Sequence, residues 1–423
     1  MKTRNIIFLI VVLVVIAAGV WGFLISRRPV PGESPSSGAT FVSTFWPFGN
    51  TNKNAPSETS APLQESAPGL QETNQGEQAP AVNLRKVSSM PIAGYGVFMK
   101  ERYGASGAQK APYARYADKS TGNIYQTFAD KIEERKFSAS EVPGLYETVF
   151  GGNGENVIMR YLKNDDRTIE TYDGSVPKEI LGSDTSAANN QLTGTFLPEN
   201  ISALSLSPDF SKIFYIAPSG EGVAGITADI SGRGKSQVFY SPFSEWISQW
   251  PNSRMISLTT KASGQAPGYM YSVDPTNKSF IKILGSIAGL TTLTSPSGRK
   301  VLYADGNMSL RVYDRNTGQS VAMGVNTLPE KCVWGSGSDV IYCAAPKSPP
   351  SALYPDAWYQ GTVSFSDSIW KLDPSSGNSS FLADPSGVNG IGNIDAVELK
   401  IDPSGNYLFF MDKTSSYLYE LVL

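Results

Sequence analysis

The stretch Leu204-Ser-Leu-Ser-Pro-Asp-Phe-Ser-Lys-Ile-Phe-Tyr215 reads as a strand, a proline-centred turn and a second strand that ends in aromatic residues. The turn prolines Pro208, Pro251 and Pro296 are 43 and 45 residues apart, so the phrase repeats at a nearly constant interval. A period of about 40–45 residues with several short strands per unit is typical of a β-propeller. Four later copies support the repeat: Trp246–Ile256, Thr292–Tyr303, Cys332–Tyr342 and Val397–Phe409.

Two upstream segments extend the repeat. Tyr95–Phe128 and Tyr146–Tyr172 contain strand-like runs separated by glycine-containing turns, which brings the number of units to seven. The last unit ends after three strands, and Asn83–Met90 resembles an outer strand that has no blade of its own. Pairing these two ends would close the ring and leave no open sheet edge. The sequence therefore predicts an all-β fold, a seven-bladed β-propeller over residues 84–423.

A second recurring feature is an aspartate at the end of a strand, followed by a tight turn, at Asp274, Asp314 and Asp373. An Asp carboxylate accepts hydrogen bonds from backbone N–H groups two residues on, which favours such a turn. Aspartates in loops also bind calcium, and calcium stays open as an alternative. Because the placement is regular, we expect turn capping, and the sequence predicts no metal and no other cofactor.

The composition limits the chemistry. The chain has no histidine, a net charge of −3 and a pI near 5.4. Without histidine, histidine-based acid–base catalysis and the common zinc sites are excluded, whereas sites built from carboxylates remain. A nucleic-acid-binding protein usually carries a basic face. We therefore expect no nucleic-acid partner.

The N-terminal region differs from the rest of the chain. Ile6–Ile25 is 20 residues long and has no charge, and a helix of this length, about 30 Å, matches a bilayer core. A cleavable signal peptide is the alternative. Residues 1–28 are predicted to be a transmembrane signal anchor and residues 29–83 a disordered linker rich in Pro, Ser, Glu and Gln, with one aromatic cluster, Phe41–Phe48, of open role. We expect a single-pass protein of the cell membrane with the propeller on the extracytoplasmic side.

The chain has two cysteines, Cys332 and Cys343. The repeat places Cys332 on the innermost strand of the sixth blade and Cys343 opposite it on the next strand. Facing residues of neighbouring strands are close enough for a disulfide with local twist. A disulfide is the prediction, in an oxidising compartment, and two buried free thiols are the alternative.

The sixth blade carries an insertion, Pro346–Ser368, between its second and third strands. In a propeller this link emerges on the same face as the links between blades, and loops of this kind often bind ligands. Because aromatic side chains are good contact residues, we expect a protein, peptide or glycan partner here. The alternative is that Trp358 and Phe365 pack the insertion onto neighbouring blades. The candidate ligand-binding residues are Tyr354, Asp356, Trp358, Tyr359 and Asp367.

The repeated turn also carries a resemblance. TolB-like and related WD-repeat-type propellers have a Ser-Pro-Asp-Gly turn in their blades, and this chain resembles them at Ser207-Pro-Asp-Phe-Ser-Lys-Ile-Phe-Tyr215, Ser295-Pro-Ser-Gly-Arg-Lys-Val-Leu-Tyr303 and Asp402-Pro-Ser-Gly-Asn-Tyr-Leu-Phe409. The resemblance covers residues 85–423. It implies a protein-interaction platform in the bacterial envelope, which in most members has no catalytic activity.

Two functions follow as expectations. The first is a non-catalytic binding or scaffolding platform that is tethered to the membrane by residues 6–25 and recruits envelope proteins, peptides or glycans. The alternative is a carboxylate-dependent glycan-active enzyme, a glycosidase or a lyase. A glycosidase needs two carboxylates about 5–10 Å apart in a cleft. The candidate acids for this alternative are Asp165, Asp166, Asp356 and Asp367.

Overall fold

The computed structural model describes residues 83–104, 107–139, 141–177 and 190–423. These residues form seven antiparallel sheets of four strands each. The seven-bladed all-β propeller that the repeat predicts is therefore confirmed.

The strands are numbered in chain order, and each blade takes four of them. Blade 1 contains β2 (Ile92–Gly104), β3 (Gly107–Asp118), β4 (Ile124–Phe128) and β5 (Arg135–Lys136), and blade 2 contains β6 (Leu145–Gly151), β7 (Asn156–Leu162), β8 (Ile169–Ser175) and β9 (Thr193–Phe196). Blade 3 contains β10 (Ala203–Leu206), β11 (Lys212–Ser219), β12 (Gly222–Asp229) and β13 (Ser236–Ser241), and blade 4 contains β14 (Trp246–Asn252), β15 (Met255–Thr260), β16 (Pro267–Val273) and β17 (Phe280–Ala288). Blade 5 contains β18 (Thr291–Thr294), β19 (Lys300–Ala304), β20 (Ser309–Asp314) and β21 (Ser320–Asn326). Blade 6 contains β22 (Cys332–Trp334), β23 (Ile341–Pro346), β24 (Asp367–Leu372) and β25 (Ser379–Ala383), with the short helix α1 (Asp356–Tyr359) in its insertion. Blade 7 contains β26 (Ala396–Ile401), β27 (Tyr407–Asp412), β28 (Leu418–Val422) and, from the other end of the chain, β1 (Leu84–Lys86).

The first strand of each blade lies nearest the axis of the ring. Contacts between first strands join β2 to β6, β10 to β14, β14 to β18, β22 to β26 and β26 to β2. In this topology the links between blades and the loops between second and third strands emerge on one face, which we call the upper face. The remaining turns emerge on the lower face.

The ring is closed by the two ends of the described chain. Strand β1 pairs with β28 in antiparallel register, with Leu84 opposite Leu421. The backbone N–H of Val422 donates to the carbonyl oxygen of Asn83 at 3.0 Å, and Arg85 forms an ion pair with Glu420 at 3.0 Å. The predicted closure is therefore confirmed, and it removes the open edge that β28 would otherwise present.

The repeated turn has a simple cause in hydrogen bonding. Ser207, Ser295 and Asp402 are buried, and each side chain accepts a hydrogen bond from the backbone N–H group five residues on. The distances are 2.9 Å from Lys212, 3.1 Å from Lys300 and 2.7 Å from Tyr407. A polar side chain at this position therefore satisfies a backbone donor that the tight turn leaves without a strand partner.

The strand-end aspartates also act as predicted. The carboxylates of Asp274, Asp314 and Asp373 each accept a hydrogen bond from the backbone N–H group two residues on, at 2.7, 2.8 and 2.7 Å. Among the described residues, no group of three or more acidic or cysteine side chains is placed to hold a metal ion.

The disulfide is also present. Cys332 on β22 lies opposite Cys343 on β23, the Cα atoms are 4.1 Å apart, and the two sulfur atoms are bonded. The predicted pairing is therefore confirmed.

Three predictions concern residues outside the described part of the chain. They are the membrane anchor at residues 1–28, the linker at residues 29–83 as far as Val82, and the aromatic cluster Phe41–Phe48. Within the part of the chain that the structure covers, no helix has both the length and the apolar character needed to cross a bilayer.

Candidate functional site

The insertion of blade 6 forms a strap across the upper face. Its helix α1 is anchored to blade 4, because the carboxylate of Asp356 accepts a hydrogen bond from the backbone N–H of Gly264 at 2.6 Å. On the other side, the ammonium group of Lys413 in blade 7 donates to the carbonyl oxygen of Trp358 at 2.8 Å. The strap therefore makes direct contacts with loops of blades on both sides of its own.

The structure brings the five predicted ligand-binding residues together in or beside this strap, but it buries most of them. Tyr354, Trp358 and Asp367 are 5 %, 4 % and 1 % exposed. The indole of Trp358 stacks on the ring of Phe365, with ring centroids 6.1 Å apart. This packing follows the alternative interpretation of the insertion, and a role for the five residues as a ligand surface stays a prediction.

A buried charge cluster lies beneath the strap. The ammonium nitrogen of Lys331 lies 2.8 Å from a carboxylate oxygen of Asp367 and 2.5 Å from one of Asp395, and all three side chains are fully buried. The indole N–H of Trp358 lies 3.1 and 3.0 Å from the two carboxylate oxygens of Asp395. Lys331 and Asp395 carry no signal in the sequence, since neither belongs to the repeated turn or to the insertion.

An apolar groove adjoins the strap on the upper face. Its cavity volume is about 550 Å³, and Phe243 at its mouth is 69 % exposed. The indole of Trp246 is fixed by a hydrogen bond from its N–H to the carbonyl oxygen of Phe243 at 2.9 Å. The groove is formed by the link between blades 3 and 4 and by strands of blade 4, and its main lining residues are Pro242, Phe243, Trp246, Pro267, Tyr269 and Tyr271.

A second polar site lies on the innermost strand of blade 7. Strand β26 contains a bulge between Val397 and Lys400, and Glu398 in this bulge has a φ of 52°, which non-glycine residues rarely adopt. The side chain of Glu398 is 45 % exposed. Because β26 is an innermost strand, this exposure is toward the central channel. Backbone strain of this kind is frequent at functional sites.

Glu398 and Lys400 of blade 7 lie beside a tyrosine of blade 1 and within electrostatic reach of Glu147 on blade 2. The ammonium nitrogen of Lys400 lies 3.9 Å from a carboxylate oxygen of Glu398 and 4.3 Å from the centroid of the Tyr95 ring on blade 1. The hydroxyl of Tyr95 donates to the carbonyl oxygen of Glu398. On blade 2, Glu147 forms an ion pair with Arg160. We call Glu147, Glu398 and Lys400 the channel cluster.

The surroundings shift the pKa values of this cluster in opposite directions. The side chain of Glu398 is 45 % exposed, but the surrounding inner strands reduce its hydration in the channel and raise its pKa. The charge of Lys400 opposes this shift and that of Glu147 adds to it. The same enclosure lowers the pKa of Lys400, against the attraction of Glu398 and Glu147. An acid and an amine that are shifted toward neutrality in one site are suited to donate and accept protons.

The four acids that the sequence offers for catalysis do not reach the channel cluster. Asp165 is exposed and accepts hydrogen bonds from the backbone N–H groups of Arg167 and Thr168 at 3.0 and 2.8 Å, so it caps a turn. Asp166 is exposed in the same turn. Asp356 and Asp367 belong to the strap and to the buried cluster beneath it. The structure therefore does not bring these four acids together in one cleft, and a catalytic role for them stays a prediction.

The fold is similar to several solved structures. A puromycin-hydrolysing peptidase of Mycobacterium tuberculosis is 14% identical, with a TM-score of 0.43 over 74% of this chain and 50% of that chain. An oligogalacturonate lyase in complex with manganese is 9% identical, with a TM-score of 0.46 over 79% of this chain and 98% of that chain. A mitotic checkpoint complex is 11% identical, with a TM-score of 0.46 over 86% of this chain and 99% of that chain. The chain thus spans half the length of the peptidase, and at these identities the similarity shows the shared fold alone.

No protein-family model matches the sequence, and no curated protein matches it. The propeller fold is shown, whereas the finer resemblance to TolB-like and WD-repeat-type propellers stays an expectation. The prediction that the protein is not an enzyme is corrected, because the solved structures that share the fold include a peptidase and a lyase as well as a checkpoint complex, and the fold alone decides neither role. The fold therefore gives no reason to exclude catalysis.

Proposed function

We propose that the protein is a carboxylate-dependent glycan-active enzyme whose acid–base groups are the channel cluster. One observation carries the proposal: Glu398 and Lys400, with pKa values shifted in opposite directions, lie 3.9 Å apart on a strained segment of the innermost strand. Groups tuned toward neutrality are effective general acids and bases.

The two carboxylates have different surroundings, which supports separate roles. Glu398 faces a site that favours its protonated form, so it acts as the general acid toward a glycosidic oxygen. Glu147 is held as an ion pair with Arg160 and supplies a second carboxylate. Hydrolysis of a glycosidic bond requires such a pair. In a lyase reaction Lys400 removes the proton next to a sugar carboxylate, and Glu398 protonates the leaving oxygen.

The test is a screen of the full-length protein against neutral and uronic-acid-containing polysaccharides and oligosaccharides. New reducing ends identify cleavage, and ultraviolet absorbance of an unsaturated uronic acid distinguishes a lyase from a glycosidase. Glu398→Gln and Lys400→Met should each lower the rate by roughly 10²–10⁴-fold, the usual share of general acid–base catalysis.

Glu221→Gln is the matched control, because Glu221 lies in an exposed turn of blade 3 away from the axis. It should cleave at the wild-type rate. Absence of cleavage and of glycan binding with every carbohydrate, or equal rates for Glu398→Gln and the control, would remove the proposal.

A second candidate function is recruitment of an envelope protein, peptide or glycan by the groove beside the strap, with the propeller held outside the membrane by the N-terminal segment. The groove supports this candidate because aromatic and proline side chains line it and Phe243 is exposed at its mouth. Phe243→Ser should reduce capture of such a partner by the full-length protein. Phe381→Ser changes an equally large ring that is 55 % exposed on the outer strand of blade 6. Equal capture by both variants would exclude the groove.

A further inference from the structure

The buried cluster beneath the strap has the chemistry of a crosslinking site. Lys331, Asp367 and Asp395 have no exposed side-chain surface. Two buried charges of one sign and one of the other are costly to hold away from water. Conversion of one ammonium–carboxylate pair to a neutral amide would remove two of these charges from the interior.

The two carboxylates are bound differently, which gives them different roles. Asp395 accepts hydrogen bonds from the indole N–H of Trp358, the hydroxyl of Ser364 at 3.1 Å and the backbone N–H of Phe365 at 3.1 Å. These donors fix the orientation of Asp395, so that one of its oxygens faces the nitrogen of Lys331 as a proton acceptor.

Asp367 is prepared as the electrophile. One of its oxygens, Oδ2, accepts from the backbone N–H of Ala396 at 2.7 Å and lies 2.8 Å from the nitrogen of Lys331. The other oxygen, Oδ1, is buried without a hydrogen-bond partner. Burial raises the pKa of Asp367 to about 6, with Lys331 opposing the shift, so the carboxyl group is protonated more readily than an ordinary aspartate.

The aromatic surroundings exclude water from the reacting atoms. The nitrogen of Lys331 lies 5.2 Å from the centroid of the Trp358 ring and 5.3 Å from that of Phe365. Both rings are buried. A fixed amine beside a fixed carboxyl group also reacts at a high effective concentration.

From this geometry we propose that Lys331 and Asp367 form an intramolecular isopeptide bond, with Asp395 as the proton acceptor. The nitrogen of Lys331 transfers a proton to Asp395 and attacks Cγ of protonated Asp367. The N–Cγ bond forms, Oδ2 is retained as the amide oxygen against the N–H of Ala396, and the bond from Cγ to Oδ1 breaks. Oδ1 leaves as one water molecule that carries the acid proton of Asp367 and the second proton lost by the nitrogen, while the first proton stays on Asp395. No oxidant or reductant is required.

The test is mass spectrometry of the full-length protein after reduction and alkylation of the cysteines. Digestion with trypsin should give one branched peptide that contains Lys331 and Asp367. Its mass should be lower by one water than the summed masses of the same two peptides without the crosslink. Cleavage after Lys331 should be lost. Recovery of two separate unmodified peptides, with cleavage after Lys331, would overturn the proposal.

The chain offers an internal control in the same digest. Lys347 and Asp384 form an ion pair at 2.5 Å, but their side chains are 33% and 36% exposed. Water solvates this pair, so it should stay uncrosslinked. A branched Lys347–Asp384 peptide in the same yield would mean that proximity is sufficient, which contradicts the role given to burial.

Two variants separate the roles of the carboxyl groups. Asp367→Asn should give the same branched peptide, with ammonia as the leaving group in place of water. Asp395→Asn should lower the crosslinked fraction strongly, because the proton acceptor is lost. An unchanged crosslinked fraction in Asp395→Asn would exclude Asp395 as the acceptor.

Discussion

Single buried polar side chains fix the turns of the blades. Asp402 is 1 % exposed and accepts hydrogen bonds from the backbone N–H groups of Ser404, Asn406 and Tyr407 at 2.8, 2.7 and 2.7 Å. Asp373 begins a similar Asp-Pro-Ser turn but is exposed. The same residue type therefore has a larger structural role where water cannot replace it.

We expect Asp402→Ala to lower the free energy of unfolding by about 1–3 kcal/mol, because it leaves buried N–H groups without an acceptor. Asp373→Ala is the matched control. It should lower the free energy of unfolding by less than about 1 kcal/mol, because water can bond the freed N–H donors. Denaturant unfolding of the two variants measures both values. A larger loss in Asp373→Ala would contradict this assignment.

Asp173 gives a pH dependence. It is 4 % exposed, and burial raises its pKa to about 7, whereas an unfolded aspartate titrates near about 3.9. The folded state therefore holds a proton that the unfolded state has lost between these values. The stabilisation is complete below about pH 4 and is lost as the pH rises through about 7.

The free energy of unfolding of wild type should therefore fall relative to that of Asp173→Asn as the pH rises from about 4 to about 7. Denaturant unfolding at several pH values gives the difference curve. Using the difference removes the contribution of Glu420, whose pKa burial also raises to about 7. A flat difference curve would show that Asp173 is ionised in the folded state throughout.

The residues that the sequence predicts make contacts within one hairpin, whereas those that it does not predict make contacts between blades. The capping aspartates and the facing cysteines depend on neighbours within one hairpin, and local pattern is sufficient to predict them. The channel cluster joins Glu147 to Glu398 across two blades, and Lys331 meets Asp395 across another pair of blades. Such contacts depend on the ring geometry and on a bulge at Glu398, neither of which leaves a pattern in the sequence.

At the level of elements, blade 6 is reinforced by both a disulfide and a strap. The disulfide joins the first two strands across a sequence separation of 11 residues. The strap places Trp358 over the buried cluster, with its N–H bound to Asp395. The sequence indicated the insertion because it interrupts the repeat, but aromatic composition alone does not separate a ligand surface from a buried plug.

Reduction of the disulfide should lower the free energy of unfolding by less than about 3 kcal/mol, since the loop that it closes is short. Unfolding of wild type with and without a reductant measures the change. The double variant Cys332→Ala with Cys343→Ala is the control and should be insensitive to the reductant. If the reductant lowered the free energy of unfolding of both proteins equally, the change would not come from the disulfide.

Trp358→Ala should lower the free energy of unfolding by about 3–5 kcal/mol, because it removes a buried indole and leaves a cavity. Leu353→Ala, in the same strap but 40 % exposed, should cost about 1 kcal/mol or less. Denaturant unfolding compares them. A stable Trp358→Ala variant with weakened ligand binding would instead return Trp358 to the ligand surface that the sequence predicts.

At the level of the whole molecule, the seven blades form one closed unit because the last blade is shared by both ends. Glu420 is 2 % exposed and its carboxylate is bound by Arg85. The sequence predicted this closure from a blade that lacked one strand and a strand that lacked a blade. Both signals are properties of the full repeat rather than of any single residue.

Deletion of residues 1–86 should prevent cooperative folding of the entire propeller, because it removes β1 and exposes the edge of β28. Deletion of residues 1–82 keeps β1 and should leave the unfolding transition unchanged. Far-ultraviolet circular dichroism during denaturant unfolding distinguishes the two. A cooperative transition of wild-type amplitude after the longer deletion would show that blade 7 does not need β1.

The hydrogen bond between Val422 and Asn83 brings the first and the last few described residues of the propeller together at the rim. A few added glycines would join them covalently without disturbing either strand. New termini opened at an exposed turn, such as the one at Gly318, would then give a circular permutant with the same seven blades and a different point of attachment for a fusion partner.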